Sequence, residues 1–377
     1  MDFELNEEQK LLRDTAREML SRAYDTEKRN RIVAAEPGWS ADVWKQLAEV
    51  GLLGLSFAED DGGMDAGPVE IMAVMTEMGR RLAPEPILDA VLVPGGLISD
   101  VGSVDQRRRV LPGVAEGSTL LAFAHNETGS RWPNVAVGVS ATEDGGSFSL
   151  DGTKNPVPHG GSADILVVSA ALPGGGVGLF LVDGDATGVT RKSYRTHDGQ
   201  RAAQISFSDV AAEPLGDGSD ATAAIVASEV KAQAALCAEA VGAMEEALRL
   251  TTDYLKQRKQ FGVPLAKFQA LTFRAADMYV LLELARSMAL YATMNLADDV
   301  VDPMVASRAK LQISRSSRKL GQEAIQLHGG IGVTDEQDEG LFFKRLRVLQ
   351  GVFGDADYHT ERFQSLNCFD AEIRAEA

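Results

Sequence analysis

The sequence predicts an α+β chain in three consecutive parts: helices over residues 1–116, a β-domain over 117–218 and a helical bundle over 219–377. Two changes of hydrophobic period carry that prediction. Near Ser118 the apolar residues pass from helical spacing to short alternating runs, and near Ser219 they return to steps of three and four. A length of 377 residues, 45% of them hydrophobic and 24% charged, is ordinary folded composition with room for two or three domains.

Taken in order, Asn6 and Gln9 form a capping box that opens a helix with Leu11, Leu12, Ala16 and Leu20 on its apolar face. A second helical pattern holds Val43, Trp44, Leu47, Val50 and Leu52. It stops at the turn signal Asp60-Asp61-Gly62-Gly63, before a third through Ile71, Val74, Met75 and Met78. The runs "TLLAFAH", "GGSFSLDGTK", "ADILVVSAAL", "GVGLFLVDGD" and "RAAQISFSDV" read as strands, with Asp144-Gly145 and Asp151-Gly152 as turns. Five such strands in about a hundred residues predict an antiparallel sandwich or barrel. Beyond them, Leu236, Ala240, Ala243, Ala247, Leu250 and Tyr254 mark one small-residue face suited to close helix packing. Met278, Leu281, Ala285, Met288 and Ala292 mark a second helix. A third runs from the cap Asp302-Pro303 to Gly329-Gly330, and a fourth follows from Leu341. Four long amphipathic helices with short connections predict an antiparallel bundle.

Charge and composition exclude some functions. A net charge of −18 repels phosphate backbones and anionic membranes, so neither nucleic acid nor a membrane is expected as a partner. No apolar run is long enough to span a bilayer, and Met1–Asn6 lacks the basic and apolar regions of a signal peptide, so none is expected. Two cysteines, Cys237 and Cys368, make no disulfide framework, and a soluble, reduced, cytoplasmic protein is expected. The five histidines form no H-x-x-H pair, so no metal site is expected.

Three stretches carry possible chemistry. "YLKQRKQFGVPLAKFQAL" places Arg258, Lys259 and Phe261 at a corner between helices, where Arg258 suits bidentate contact with a phosphate and equally complements a helix C-terminus. "QLHGGIGVTDE" sets Gly329-Gly330 after a helix, open to close approach by a ligand or simply a C-cap. "QGVFGDADYH" gathers Asp355, Asp357, Tyr358 and His359 beside two glycines.

Together with "EDDGG" at 59–63 and "FSDV" before Pro214, these motifs make the chain resemble the acyl-CoA dehydrogenase family over nearly its whole length. The closest pattern within it is the small subunit of pimeloyl-CoA dehydrogenase-type heteromeric enzymes. The resemblance implies the acyl-CoA dehydrogenase-like fold: an N-terminal helical domain, a middle antiparallel β-domain and a C-terminal four-helix bundle. It implies a flavoprotein that oxidises an acyl-CoA thioester to the trans-2-enoyl-CoA, a carboxylate taking the α-proton while the β-hydrogen leaves as hydride to FAD. It assigns Arg258, Phe261, Gln269, Gln326, Gly329 and Gly330 to the ADP part of an FAD shared across a subunit interface.

The chain departs from the family at the base. Counting from Gly329-Gly330, the usual glutamate position is Phe353, and no Glu lies within three residues of it. The other base position used in the family falls on Ala232-Gln233. On the flavin-ring side, Pro156-Val157-Pro158 stands where many members carry Trp-x-Thr, and "HNETGSRW" keeps only Glu127 of the usual strand. Trp132 and His159 are candidates to stack on a ring, or a surface aromatic and a loop histidine. The expected function is therefore the accessory subunit of a heteromeric enzyme, a dimer of dimers in which FAD is shared with the second subunit rather than held by this chain alone. The alternatives are a complete dehydrogenase with Asp355 or Asp357 as a displaced base, or a flavin monooxygenase or acyl-CoA-binding scaffold of the same fold. For Asp355 the competing role is an N-cap of the last helix, and for Asp357 a complement to that helix's dipole.

Overall fold

The computed structural model describes residues 5–129, 138–334 and 338–365. Six helices come first: α1 (Glu7–Ala23), α2 (Thr26–Ala34), α3 (Ala41–Glu49), α4 (Pro68–Arg81), α5 (Val93–Val101) and α6 (Val104–Ala115). Strands β1 (Leu121–Ala124), β2 (Ser140–Asp144), β3 (Ser147–Pro158), β4 (Ile165–Ala171), β5 (Val177–Asp183), β6 (Val189–Arg195) and β7 (Arg201–Pro214) follow. Then come α7 (Thr222–Gln257), a two-strand ribbon of β8 (Lys259–Gln260) and β9 (Val263–Pro264), α8 (Gln269–Ala297), α9 (Pro303–His328), α10 (Glu339–Leu349) and α11 (Ala356–Ser365).

By contacts the chain forms two compact units, each drawn from separated segments. One comprises Met1–Thr26, Pro68–Ala83 and Gln233–Ala377; the other comprises Glu27–Gly67 and Pro84–Ala232. In the first unit, α1 opens with the expected capping box, Asn6 and Gln9 each satisfying the other's backbone amide. Ala16 and Leu20 are buried as expected, but Leu11 is 69% exposed. Helix α4 runs against α7 with almost no side chain between them. A Cβ at Gly79 would overlap the Glu239 carbonyl, and one at Gly242 the Thr76 carbonyl. Only glycine permits that approach.

The bundle differs from four long helices. Helices α7, α8 and α9 are long, but the fourth pattern breaks at Gly351–Asp355 into the short α10 and α11. Helix α8 is apolar on both sides. Met278, Leu282, Ala285, Ala289 and Ala292 are buried, on a helix that packs against α4 and α9. Phe273, Tyr279, Val280, Leu284 and Tyr291 face outward.

In the second unit the sheet is mixed rather than wholly antiparallel, because β4 pairs in parallel with β1 and, at Ser140–Ala171, with β2. The pairings β4–β2–β3–β7–β5–β4 close a ring, with β1 and β6 attached to it, so the barrel expectation describes the topology better than a sandwich. The sheet core includes Leu150, Val168, Phe180, Ile205 and Val210. Asp144-Gly145 does turn, as part of the β2–β3 hairpin. Asp151-Gly152 instead lies within β3 at a register shift, where Gly152 has φ 134° and a Cβ would crowd the Gly138 carbonyl. Strands β2 and β6, mostly exposed and polar, carry too little apolar signal to read from sequence. Val50, expected on an apolar face, falls just past α3 and is 41% exposed.

Candidate functional site

The structure gathers the cationic corner and the glycine turn at one end of the bundle. The ring of Tyr254, one turn before Arg258, stacks on His328 with centroids 4.5 Å apart, and His328 directly precedes Gly329. Helix α7 ends at Gln257, and Arg258 opens the β8–β9 ribbon, whose tip is Phe261 at φ 53° and Gly262 at φ 81°. Phe261 is 92% exposed and meets Phe268 edge-on. Arg258, Gln269, Gln326, Gly329 and Gly330 are all exposed. Gly329 adopts φ 68° and ψ −144°, and a Cβ built at 329 or 330 would meet nothing within 4 Å. The turn is thus open backbone that a ligand can approach closely.

Next to this turn lie two buried polar groups, His328 and Glu339, of which the sequence pointed only to His328, as a cap on helix carbonyls or a lining of the flavin edge. His328 Nδ1 is 2.9 Å from the Ala324 carbonyl oxygen, which can only accept, so the hydrogen sits on Nδ1. Burial holds the His328 imidazole below its ordinary pKa. Its other nitrogen, Nε2, faces Glu339 Oε1 at 3.6 Å. Glu339 is 1% exposed, and burial pushes its carboxyl up to about 8. The sequence held a signal: Glu339 stands three residues before Phe342 on the stripe Phe342, Leu346 and Leu349 that α10 buries.

At the far end of α9, Phe353 sits in the turn between α10 and α11 with φ 56°. The carboxylate of Asp355 Oδ1 accepts the amides of Asp357 at 3.1 Å and Tyr358 at 3.0 Å, which caps α11. Asp357 lies exposed in that helix's first turn. The turn is pinned from below by Lys310, which is fully buried and donates to the carbonyls of Leu349 (2.9 Å), Gln350 (3.1 Å) and Gly354 (3.0 Å). Burial lowers the Lys310 ammonium to about 8, and burial together with Lys310 lowers His359 to about 3. Lys310 also had a sequence signal, since it interrupts the buried stripe of Ala306, Ile313 and Leu320. The other candidate base position, Ala232-Gln233, is buried in α7 without a carboxylate.

In the β-domain, Glu127 and Lys154 form a buried ion pair at 2.6 Å. Lys154 also donates to the His125 carbonyl (3.0 Å) and to Ser169 (3.1 Å), while Glu127 accepts the amides of Gly138 and Val139. Burial lowers Lys154 to about 8 against the pull of Glu127. Burial alone would raise the Glu127 carboxyl, but Lys154 and the two amides outweigh it and hold it below the usual range. His159 is buried at φ 52°, and Trp132 lies outside the described residues. Roughly 27 Å of helix axis, 18 residues of α9, separates Lys310 under the Phe353 turn from His328 under the glycine turn.

The chain matches the acyl-CoA dehydrogenase N-terminal, middle and C-terminal domain models over residues 6–118, 121–210 and 230–364. Acyl-CoA dehydrogenase IpdE2 of Mycobacterium tuberculosis is 30% identical over 90% of this chain and 91% of its own length. Acryloyl-CoA reductase (NADH) of Anaerotignum propionicum is 28% identical over 95% of this chain and 94% of its own. Among solved structures, the Tcur3481-Tcur3483 steroid ACAD superposes with a TM-score of 0.89 at 32% identity, covering 97% of this chain and 99% of that one. The ChsE4-ChsE5 complex of Mycobacterium tuberculosis shares the fold at 23% identity and a TM-score of 0.89, over 97% of this chain and 98% of that one. The chain therefore belongs to the acyl-CoA dehydrogenase family, oxidoreductases that act on CH–CH donors.

Proposed function

We propose that this chain is the accessory subunit of a heteromeric acyl-CoA dehydrogenase and completes the FAD site of a second, acyl-CoA dehydrogenase-like subunit. One observation carries the reading. Residues suited to an adenosine diphosphate group stand exposed at one end of α9, while Phe353 fills the base position at the other end, with Asp355 capping α11 and Asp357 exposed in its first turn. A phenyl group takes no proton, and Asp355 holds two amides that its use as a base would release.

The cofactor is FAD, and the residues present fit its adenosine-pyrophosphate end. Gly329 and Gly330 leave room for a phosphate against the backbone, Arg258 can fork onto two phosphate oxygens, and Phe261 offers an apolar ring. FAD, when bound, supplies the hydride-accepting ring. This chain binds and orients its adenosine diphosphate end, and the partner supplies the carboxylate. The outward face of α8 gives the partner an apolar surface to cover. The solved relatives named for paired components, Tcur3481-Tcur3483 and ChsE4-ChsE5, support a two-component assembly.

The test is isolation of the tagged chain from its native cell, with a subunit count and flavin absorbance. The expected result is a second, different subunit with FAD in the assembly, and an isolated chain without acyl-CoA dehydrogenase activity. An isolated chain that holds stoichiometric FAD and oxidises an acyl-CoA overturns the proposal.

A further inference from the structure

Glu339 is a buried carboxyl group that faces a histidine lone pair and has one oxygen without a hydrogen-bond partner. His328 Nε2 lacks a hydrogen, because the hydrogen on Nδ1 points to the Ala324 carbonyl, and Nε2 lies 3.6 Å from Glu339 Oε1. Thr251 has one hydroxyl hydrogen, and the Ala247 carbonyl takes it at 2.8 Å. Its hydroxyl reaches the same Oε1 only at 3.5 Å, a long contact that offsets little of the burial. Glu339 Oε2 is buried without a hydrogen-bond partner. A carboxylate here would face the His328 lone pair and leave Oε2 without a donor, whereas a carboxylic acid carries a hydrogen that it can turn toward His328.

The charges around it point the same way. From α7, Glu246 opposes ionisation of Glu339 and Arg249 favours it, but Arg249 is held by Glu246 and Asp253. From its own end of α10, Asp338 opposes it and the helix N-terminus favours it. From α9, His328 stays neutral in its buried place. At neutral pH Glu339 thus keeps its proton beside a neutral His328. Gly340, the next residue, sits across from the Gly332 carbonyl, its Cβ direction 4.0 Å from that oxygen. The pair is therefore close to the glycine turn in chain and in space: His328 directly precedes Gly329, and Gly340 meets the segment just beyond Gly330.

We propose that Glu339 is a positioning residue kept as a neutral acid, so that no negative charge meets an anionic group at Gly329–Gly330, and that loss of its proton weakens the hold on that group. The inference rests on the reading of this turn as a contact for the pyrophosphate of FAD. A unit charge within roughly 10 Å of a phosphate, in a partly wetted protein setting, repels it enough to change affinity by about tenfold. The coupling is reciprocal, so a bound anion also makes Glu339 harder to ionise.

The test is FAD affinity of the purified assembly, followed by flavin fluorescence from about pH 7 to about pH 9, for the wild type, Glu339→Gln and Glu339→Met. The pyrophosphate diester keeps its charge over this range. The wild type should bind about tenfold more weakly at the alkaline end, and both variants should lose that step. Glu339→Gln should retain the tight, low-pH affinity. The buried lysines Lys154 and Lys310, which also titrate near 8, remain in both variants, so any step of theirs would persist and be identified. Binding with no alkaline step in the wild type, or an unchanged step in Glu339→Gln, overturns the inference alone. Failure of every form to bind FAD at any pH overturns the reading of the turn as well. Thermal melts of the variants separate loss of binding from loss of fold.

Discussion

Lys310 carries a positive charge into a site with no exposed surface, yet it meets three carbonyls whose geometry suits the three hydrogens of an ammonium. Without it, the carbonyls of Leu349 and Gly354 would lose that donor and Gln350 would keep only a long contact from Ser314, at about 1–3 kcal/mol for each buried group left unsatisfied. Lys310→Met should therefore destabilise the protein by a few kcal/mol in denaturant titrations, less than the sum, because removing a buried charge returns its desolvation penalty. The pH dependence has a definite sign. The folded-state pKa lies at about 8, below the ordinary lysine value of 10.5, so the unfolded chain holds the proton more tightly. The stability difference between wild type and Lys310→Met should grow as pH rises from about 8 towards 10.5, by at most about 3 kcal/mol. A difference that shrinks over this range would show that Lys310 is not desolvated as described. At this scale the sequence was only partly legible. The Asp355 cap could be foreseen because capping is local chemistry between a side chain and amides two and three residues on. Lys310 and Glu339 were missed because each gains its meaning from partners up to 88 residues away.

Helix α8 was legible as a helix and illegible as a surface. Its apolar residues recur on every side, so no period separates the face packed in this chain from the one left outside. The structure makes the division. Phe273, Val280, Leu284 and Tyr291 recur at seven, four and seven residues, and with Tyr279 they form one exposed stripe, each between 36% and 64% exposed. In the proposed assembly the second subunit covers that stripe. Val280→Lys with Leu284→Lys removes two apolar side chains from it, each contributing about 1.5–3 kcal/mol when buried. Sedimentation should then show the complex falling apart at concentrations where the wild type stays associated, a loss of at least a hundredfold in affinity on the order of 3 kcal/mol. The melting temperature of the isolated chain should hardly change, since both positions face outward. An unchanged sedimentation profile would place the partner elsewhere.

At the level of the whole molecule, the order of helices, strands and helices was readable from period alone, but the way they group into units was not. Period reports which residues are inward and is silent about which segments share an interior. The segment boundaries 1–116, 117–218 and 219–377 remain a proposal for the order of the chain; by contacts, α1 and α4 belong with the bundle. Their attachment is chemical as well as steric. Buried Glu77 on α4 takes a bidentate contact from Arg17 on α1, and Arg80 on α4 reaches Glu245 on α7. Gly79 and Gly242 let the backbones of α4 and α7 nearly touch. A fragment of residues 219–377 would bare that glycine-lined surface of α7 and leave Glu245 without Arg80. We expect it to show helical circular dichroism but a broad, weakly cooperative melt and binding of a hydrophobic dye. Adding residues 1–83 as a separate chain should sharpen the melt, because that segment carries both missing helices, joined through α2 and α3. A fragment that melts as cooperatively as the full chain would mean the bundle is self-sufficient and that α1 and α4 only lean on it.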